Sequence, residues 1–240
     1  MRPAYPPLQI IQTMVQEFFP RRGLELAPVG LDVDGKEFKL DEARIVDDIK
    51  QFGVMRLDAR RTPPRGARDW TVVLVLDSDG KYASHVADLR KLLEGIQLER
   101  AAQSNRLDEL FVIADDAFFA RKNLVGLVQE LAERAAPQKR PGAWRAAGDP
   151  EGRTPFITLL PYCRFTFVVP DHQAIPAHRL MTDSDVEALL ATERLAHADL
   201  PKISAQDPPV VWLGGRPGQV VEITRDSQVA GKALYYRRIE

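Results

Sequence analysis

Trp70-Thr71-Val72-Val73-Leu74-Val75-Leu76-Asp77-Ser78-Asp79-Gly80 decides the fold of this chain. An unbroken run of apolar and β-branched residues from Trp70 to Leu76 predicts a strand buried on both faces, the environment that a parallel sheet supplies. Asp77-Ser78-Asp79-Gly80 then ends it as a turn. Working outward, Val86, Leu89, Leu93 and Ile96 recur at helical spacing, Leu110-Phe111-Val112-Ile113 reads as a second buried strand, and Leu124, Val128 and Leu131 mark a helix running to about Ala136. Strand, helix, strand, helix is the α/β pattern. Upstream, Leu8, Ile11, Val15, Phe18 and Phe19 predict an amphipathic helix stopped by Pro20 and Gly23. A second helix runs from Asp41, a plausible N-cap, through Ile45, Val46, Ile49 and Phe52 to Gly53 as its C-terminal cap.

Downstream, residues 137–155 carry Pro137, Pro141, Pro150, Pro155, Gly142, Gly148 and Gly152 without apolar periodicity and read as a linker. Beyond it, Phe165 to Val169 is expected to be a strand. Thr182-Asp183-Ser184-Asp185 opens a helix with an acidic version of the capping box, turning Val186, Leu189 and Leu190 inward. Alternation at Val221 and Ile223, and at Leu234 and Tyr236, predicts a terminal hairpin. The expected architecture is α+β overall: an N-terminal α/β domain with a mixed sheet over 1–136, the linker, and a small C-terminal α+β domain over 156–240. No internal repeat is visible.

Composition bounds the function. The chain has 240 residues, 45% hydrophobic and 28% charged, which excludes disorder throughout. Lys and Arg total 33 against 34 Asp and Glu, a net charge of −1, so nucleic-acid binding through bulk charge is excluded and any DNA contact must be local. A single cysteine, Cys163, can form neither an internal disulfide nor a Cys-rich zinc site, and an intracellular protein is expected. The Trp70–Leu76 run is far shorter than the roughly 18 residues of a membrane span, and no signal-peptide core is present, so no membrane partner is expected.

Two constellations invite chemistry. Asp79-Gly80-Lys81 after a buried strand, with Asp77 and the Asp115-Asp116 pair at a neighbouring strand end, has the residue types of a metal-dependent nuclease; an Asp-rich turn with Gly is also the commonest way to leave a strand. Five arginines, Arg56, Arg60, Arg61, Arg65 and Arg68, crowd one stretch stiffened by Pro63 and Pro64. They read either as a solvated loop or as a local phosphate-contacting patch. His172 and His178 lack the spacing of a helical metal-binding pair, and Asp32-Val33-Asp34-Gly35 lacks the later ligands of a calcium loop and reads as a hairpin turn. No metal and no cofactor is expected.

From His172 onward the motifs become specific: His172-Gln173-Ala174-Ile175-Pro176-Ala177-His178, Met181-Thr182, Leu200-Pro201-Lys202-Ile203, Asp207-Pro208, Gly214, Arg216-Pro217-Gly218-Gln219-Val220-Val221, Ile223, Arg225, Ser227, Ala230-Gly231 and Tyr236-Arg237. At these spacings the chain resembles the fifth subunit of eukaryotic-type DNA-directed RNA polymerases, a family that includes the corresponding small archaeal subunit. Pro209 and Val229 depart from the usual pattern. Upstream, Asp47 to Gly53 and the order of elements are similar to the family's eukaryotic jaw domain, which archaeal subunits lack, so the resemblance implies a polymerase of eukaryotic or viral type.

The resemblance implies a non-catalytic polymerase subunit. Its C-terminal assembly domain would dock on the largest subunit beside small subunits, its jaw would lie near downstream DNA, and the magnesium site for nucleotidyl transfer would sit in the two large subunits. It implies interface roles for His172, Pro176, His178, Pro201, Asp207, Pro208, Arg225, Gly231, Tyr236 and Arg237. The DNA-facing candidates are Arg61, Arg65, Arg68, Arg121 and Lys122. The family's Thr-Pro-Ser loop, which approaches DNA, would fall near Asp115-Asp116-Ala117, where its motif is absent. The place of action would be the nucleus for a cellular protein, or the host cell or virion for a viral one. The rival readings are a metal-dependent nuclease on the N-terminal domain and a transcription adaptor that binds regulators.

Overall fold

The computed structural model describes residues 7–26, 30–31, 37–38, 49–61, 68–77, 80–102, 106–135, 156–227 and 231–240. They fall into two compact units, the first holding the described residues up to 135 together with 156–167, the second holding 168–240. Both are α+β with mixed sheets.

The first unit is built on a five-stranded sheet, ordered β1 (Leu24–Leu26), β4 (Val54–Arg61), β5 (Arg68–Leu76), β6 (Arg106–Ala114), β7 (Phe156–Pro161). A separate short pair, β2 (Gly30–Leu31) and β3 (Glu37–Phe38), flanks the expected turn at Asp32–Gly35, which lies outside the described residues. β1, β4 and β5 pair antiparallel, whereas β5, β6 and β7 run parallel. Because side chains alternate along a strand, Val72, Leu74 and Leu76 share one face with Leu110 and Val112. The helices Val86–Ala102 and Lys122–Ala135 cover that face through Leu89, Leu93, Ile96, Leu124 and Val128. On the opposite face lie Val73, Val75, Phe111 and Ile113, all buried. Phe18 meets Phe111 edge-on at 5.6 Å and Phe165 at 5.3 Å there.

Phe18 comes from an N-terminal helical segment that changes pitch, α-helical over Pro7–Thr13, π-helical over Met14–Phe18 and α-helical again over Phe19–Arg21. The wider turn rotates the buried stripe to Ile10, Ile11, Met14, Phe18 and Phe19, leaving Leu8 and Val15 half-buried. Of the second expected helix, 49–52 are helical and 41–48 lie outside the described residues. Gly53 is its C-terminal cap, with φ +69° and its N–H donated to the Ile49 carbonyl at 2.8 Å. Glycine is required there twice over, since a Cβ on Gly53 would stand 2.6 Å from Gly80 Cα.

Three expectations are corrected. The arginine-rich stretch is not a loop at its start, because Val54, Met55, Leu57 and Ala59 are buried and make Val54–Arg61 a sheet strand. Phe165–Val169 is not a strand: Tyr162–Phe165 and Val169–Asp171 are short 3-10 turns, with Phe165 buried and Phe167 exposed. The strand of this region is β7, in which Ile157, Thr158 and Leu160 are buried. Its pairing with β6 carries 156–167 into the first unit, so the boundary expected after 155 does not fall there. The expected linker at 137–155 lies outside the described residues.

The second unit is a four-stranded sheet ordered β8 (Ala177–Leu180), β10 (Val220–Ser227), β11 (Gly231–Ile239), β9 (Lys202–Ile203). β10 and β11 form the expected hairpin, in register from Val220 opposite Arg238 to Ser227 opposite Gly231. On one face Val220 and Tyr236 pack with Val186, Leu200, Met181 and Leu190 under the helix Asp183–Glu193. On the other, Val221 and Ile223 are buried, and Gly215 fits so tightly that a Cβ would stand 2.7 Å from Ile239 and Val210 side chains. The helix Pro208–Leu213 brings Val210 to this layer, and its Trp212 is buried. The capping box forms as the spacing predicts: Asp185 N–H donates to Thr182 Oγ1 at 3.1 Å and Thr182 N–H to Asp185 Oδ2 at 3.4 Å.

Candidate functional site

The motif residues of the second unit divide into those that build its surface and those that present it. Asp207 and Pro208 start the helix Pro208–Leu213, with Pro208 at a position where no N–H is needed and Val211 N–H donated to the Asp207 carbonyl at 2.9 Å. Gly231 adopts φ +71° where the hairpin enters β11. Tyr236 is half-buried in the Val220 layer, and Arg237 donates to the Lys202 carbonyl at 3.1 Å, tying β11 to the short edge strand β9. The Pro201 carbonyl accepts from Arg238 N–H at 2.8 Å while its ring stays exposed.

The presenting residues lie around the loop before β8 and the outer end of the hairpin. His178 donates through Nδ1 to the Pro176 carbonyl at 2.6 Å, which fixes both the loop and the imidazole tautomer. His172 is exposed and its Nδ1 accepts from Ala174 N–H at 3.2 Å. Arg225 is exposed, its guanidinium 5.1 Å from the centre of the Tyr235 ring. Sequence reading missed Tyr235, which is 46% exposed, and Leu234, 54% exposed. Arg179 is held between Glu222 and Asp185, at 3.1 Å from each. This guanidinium, with the Thr182 hydroxyl, holds the Asp185 carboxyl below the usual carboxylate range.

Of the DNA-facing candidates in the first unit, Arg61 is half-buried on β4 and donates to the Arg22 carbonyl at 3.3 Å. Arg121 donates to the Ala83 carbonyl and to Ser84 Oγ, bracing the turn before the helix Val86–Ala102. Lys122 is exposed at the start of the helix Lys122–Ala135. Arg68 begins β5, and Arg65 lies outside the described residues. The neighbouring arginines are also engaged: Arg56 pairs with Asp58 at 2.9 Å, and Arg60 lies 5.9 Å from the Trp70 ring centre.

Of the acidic residues at the ends of β5 and β6, Asp115 serves the fold, and Asp79 lies outside the described residues. Asp115 Oδ1 accepts from Phe118 N–H at 3.0 Å and caps the turn Asp116–Phe119. Between Asp77 and Asp115, Tyr162 donates its hydroxyl to the Leu76 carbonyl. Burial and then the two carboxylates raise its phenol well above the ordinary range, so it remains a donor. Among the described residues, no three His, Cys, Asp or Glu side chains lie close enough together to hold a metal ion, and no helix is long and apolar enough to cross a membrane.

Comparison with known proteins places these observations. Residues 167–239 match the family model described as RNA polymerase Rpb5, C-terminal domain. A DNA-directed RNA polymerase RPB5 homolog of African swine fever virus, from a Kenyan pig isolate, is 33% identical over 97% of this chain and 97% of its own length. A DNA-directed RNA polymerase subunit Rpo5 of Thermococcus kodakarensis is 44% identical, over 30% of this chain and 89% of its own. One from Methanococcoides burtonii is 40% identical, over 30% and 94%.

Proposed function

Because the chain belongs to the fifth-subunit (Rpb5/Rpo5) family of multisubunit RNA polymerases and is a non-catalytic subunit of such an enzyme, we propose that its second unit is the assembly domain that docks on the largest subunit. The observation that carries this reading is the match of residues 167–239 to the family's C-terminal domain model, beside archaeal subunits that match 73 residues of the chain along 89% and 94% of their own length. Its contact surface is the face holding His172, Pro176, His178 and Arg225. Asp207, Pro208, Gly231, Tyr236 and Arg237 build the unit that carries this surface, and Pro201 lies at its other sheet edge, beside β9. Neighbouring small subunits complete the contact.

The first unit then acts as the jaw beside downstream duplex DNA. With Arg56, Arg60, Arg61 and Arg121 engaged within the unit, direct contact rests on Lys122 and on the 62–68 stretch, and is a weak term added to a duplex already held by the large subunits. This engagement favours a second reading for the same unit, a platform for transcription regulators. The subunit acts inside a cell, and its full-length likeness to viral subunits supports a host cell or virion as the setting.

Co-purification of the tagged full-length chain with catalytic polymerase subunits tests the assignment. Recovery of the largest subunit in stoichiometric amount is expected; recovery without any large subunit overturns it. A photo-reactive group on downstream DNA should label the 62–68 stretch or Lys122, and labelling of neither in an assembled polymerase turns the jaw reading to the regulator platform.

A further inference from the structure

β8 is shorter than the strand it pairs with. Its ladder to β10 ends at Ala177 opposite Thr224, while β10 continues through Ser227 with only β11 beside it. The loop before β8 does not fill the space. Gln173 to Ala177 form one wall of an open groove of about 540 Å³, and Thr224, Arg225, Asp226 and Lys232 form the other.

Several other cations of the unit have carboxylate partners. Arg179 is neutralised by Glu222 and Asp185, and Lys202 and Arg238 by Glu240. Lys232 stands directly across the ladder from Asp226, yet no ion pair joins them, and Arg225 rests on the Tyr235 ring with no carboxylate partner among the described residues. Stacking keeps the guanidinium ordered while leaving its donors for a planar acid. Leu234 and Tyr235, the most exposed large apolar residues of the hairpin, stand beside the groove.

We propose that this groove receives an extended, acidic segment of a partner chain in the polymerase, with carboxylates at Arg225 and Lys232 and apolar side chains against Leu234 and Tyr235. An extended segment fits because its alternating side chains reach both faces of the hairpin, where Arg225 lies with Tyr235 on one and Lys232 with Leu234 on the other. A protein carboxylate fits better than a nucleic-acid backbone, because Asp226 in the wall repels a continuous run of phosphates and the apolar shoulder gives phosphates nothing. The proposal rests on the docking reading above and adds the chemistry of the partner.

The test uses the full-length chain assembled with its polymerase subunits. A benzophenone amino acid in place of Lys232 is irradiated in the complex and the crosslinked partner sequenced, and the Arg225→Glu and Lys232→Glu chains are measured separately for retention against rising salt. The expected crosslink lies in an Asp- or Glu-rich segment of a polymerase subunit, and each reversal weakens retention on the order of tenfold. If the chain assembles but neither reversal changes retention, or if the crosslink falls on nucleic acid or on a basic or helical segment, the groove assignment is overturned and docking stands. If the unsubstituted chain does not assemble, the docking reading falls and takes this one with it. The crosslink needs no charge reversal, so it decides the matter even if a reversed chain folds poorly.

Discussion

The two units solve the problem of burying a sheet in different ways. In the first, five strands lie between two sets of helices, so Val73 and Val75 are buried on one face and Val72 and Leu74 on the other. In the second, a long hairpin carries thin layers of Val186, Leu200 and Val220 on one side and Val221 and Ile223 on the other, and its outer end projects past them with Leu234 and Tyr235 exposed. The first keeps its special chemistry inside, as the Arg22–Glu109 pair and the Tyr162 hydroxyl show. The second keeps its unpaired cations outside. A unit whose apolar surface is covered by its own helices has little left to bind with, whereas a hairpin that outgrows its core offers side chains to a partner.

The heaviest loss should come from the buried end of this contrast. Arg22 donates to both oxygens of Glu109 at 2.6 and 2.7 Å, the two side chains are 2% exposed, and the guanidinium lies 5.0 and 5.1 Å from the Phe18 and Phe111 ring centres. Removing one partner strands a buried charge, so Arg22→Ala should cost roughly 3–5 kcal/mol in chemical denaturation of the full chain. The double replacement R22M/E109L should be much milder, because an apolar pair of similar volume carries no desolvation cost. Hydrogen exchange should show the loss in β5 and β6 with β10 and β11 unchanged. Equal loss in both sheets would mean that the units do not hold their stability separately.

How far these features are legible in the sequence follows the same division. The Trp70–Leu76 and Leu110–Ile113 strands are readable because burial on both faces leaves an unbroken apolar run. The Thr182 capping box is readable because its partners are three residues apart. β4 is hidden because Arg56, Asp58 and Arg60 alternate with buried Leu57 and Ala59, so charge masks a strand pattern. β7 is hidden between Pro155 and Pro161, and Phe165 reads as strand although its burial comes from Phe18, far away in the chain. The Arg22–Glu109 pair spans 87 positions and has no local signal. Motif residues locate the family's C-terminal domain but cannot be sorted by spacing into shaping and presenting ones, since Arg225 and Arg237 differ only in what the folded chain puts beside them.

Those two arginines carry the contrast into the second unit. Arg237→Glu removes a charged donor from the Lys202 carbonyl and should cost roughly 1–2 kcal/mol as β9 loosens from β11. Arg225→Glu should leave stability within about 0.5 kcal/mol, since its side chain lies on the surface over one ring. Denaturation of the two single variants checks this, and equal costs would make Arg225 a structural residue. Between them falls Thr182→Ala, which should lose about 1 kcal/mol by uncapping the helix Asp183–Glu193; amide exchange at Asp185 should rise with it.

A subtler effect is a pH dependence confined to the second unit. His197 is 9% exposed and its proton affinity is lowered, first by burial and then by the Arg238 charge, while a hydrogen bond to the Gly218 backbone acts in the opposite sense. Arg238 is itself held by Glu240, at 2.6 Å, and Glu240 also meets Lys202, so the imidazole lies beside a cation that is already partly neutralised. A histidine whose folded pKa lies below the unfolded one binds fewer protons in the native state. Its contribution is therefore fully present above the ordinary histidine value of about 6.5 and is lost as pH falls through that value toward the lower folded pKa. Thermal melting of the full chain from pH 7.5 downward should show the β10/β11 hairpin weakening before the Asp185 carboxylate titrates, because Asp185 is held below the usual carboxylate range and stays charged through this window. His197→Gln, which cannot gain a proton, should flatten the profile above pH 5 while leaving the first unit's melting as it was. A slope that survives the substitution would show that His197 is not the group whose protonation weakens the second unit.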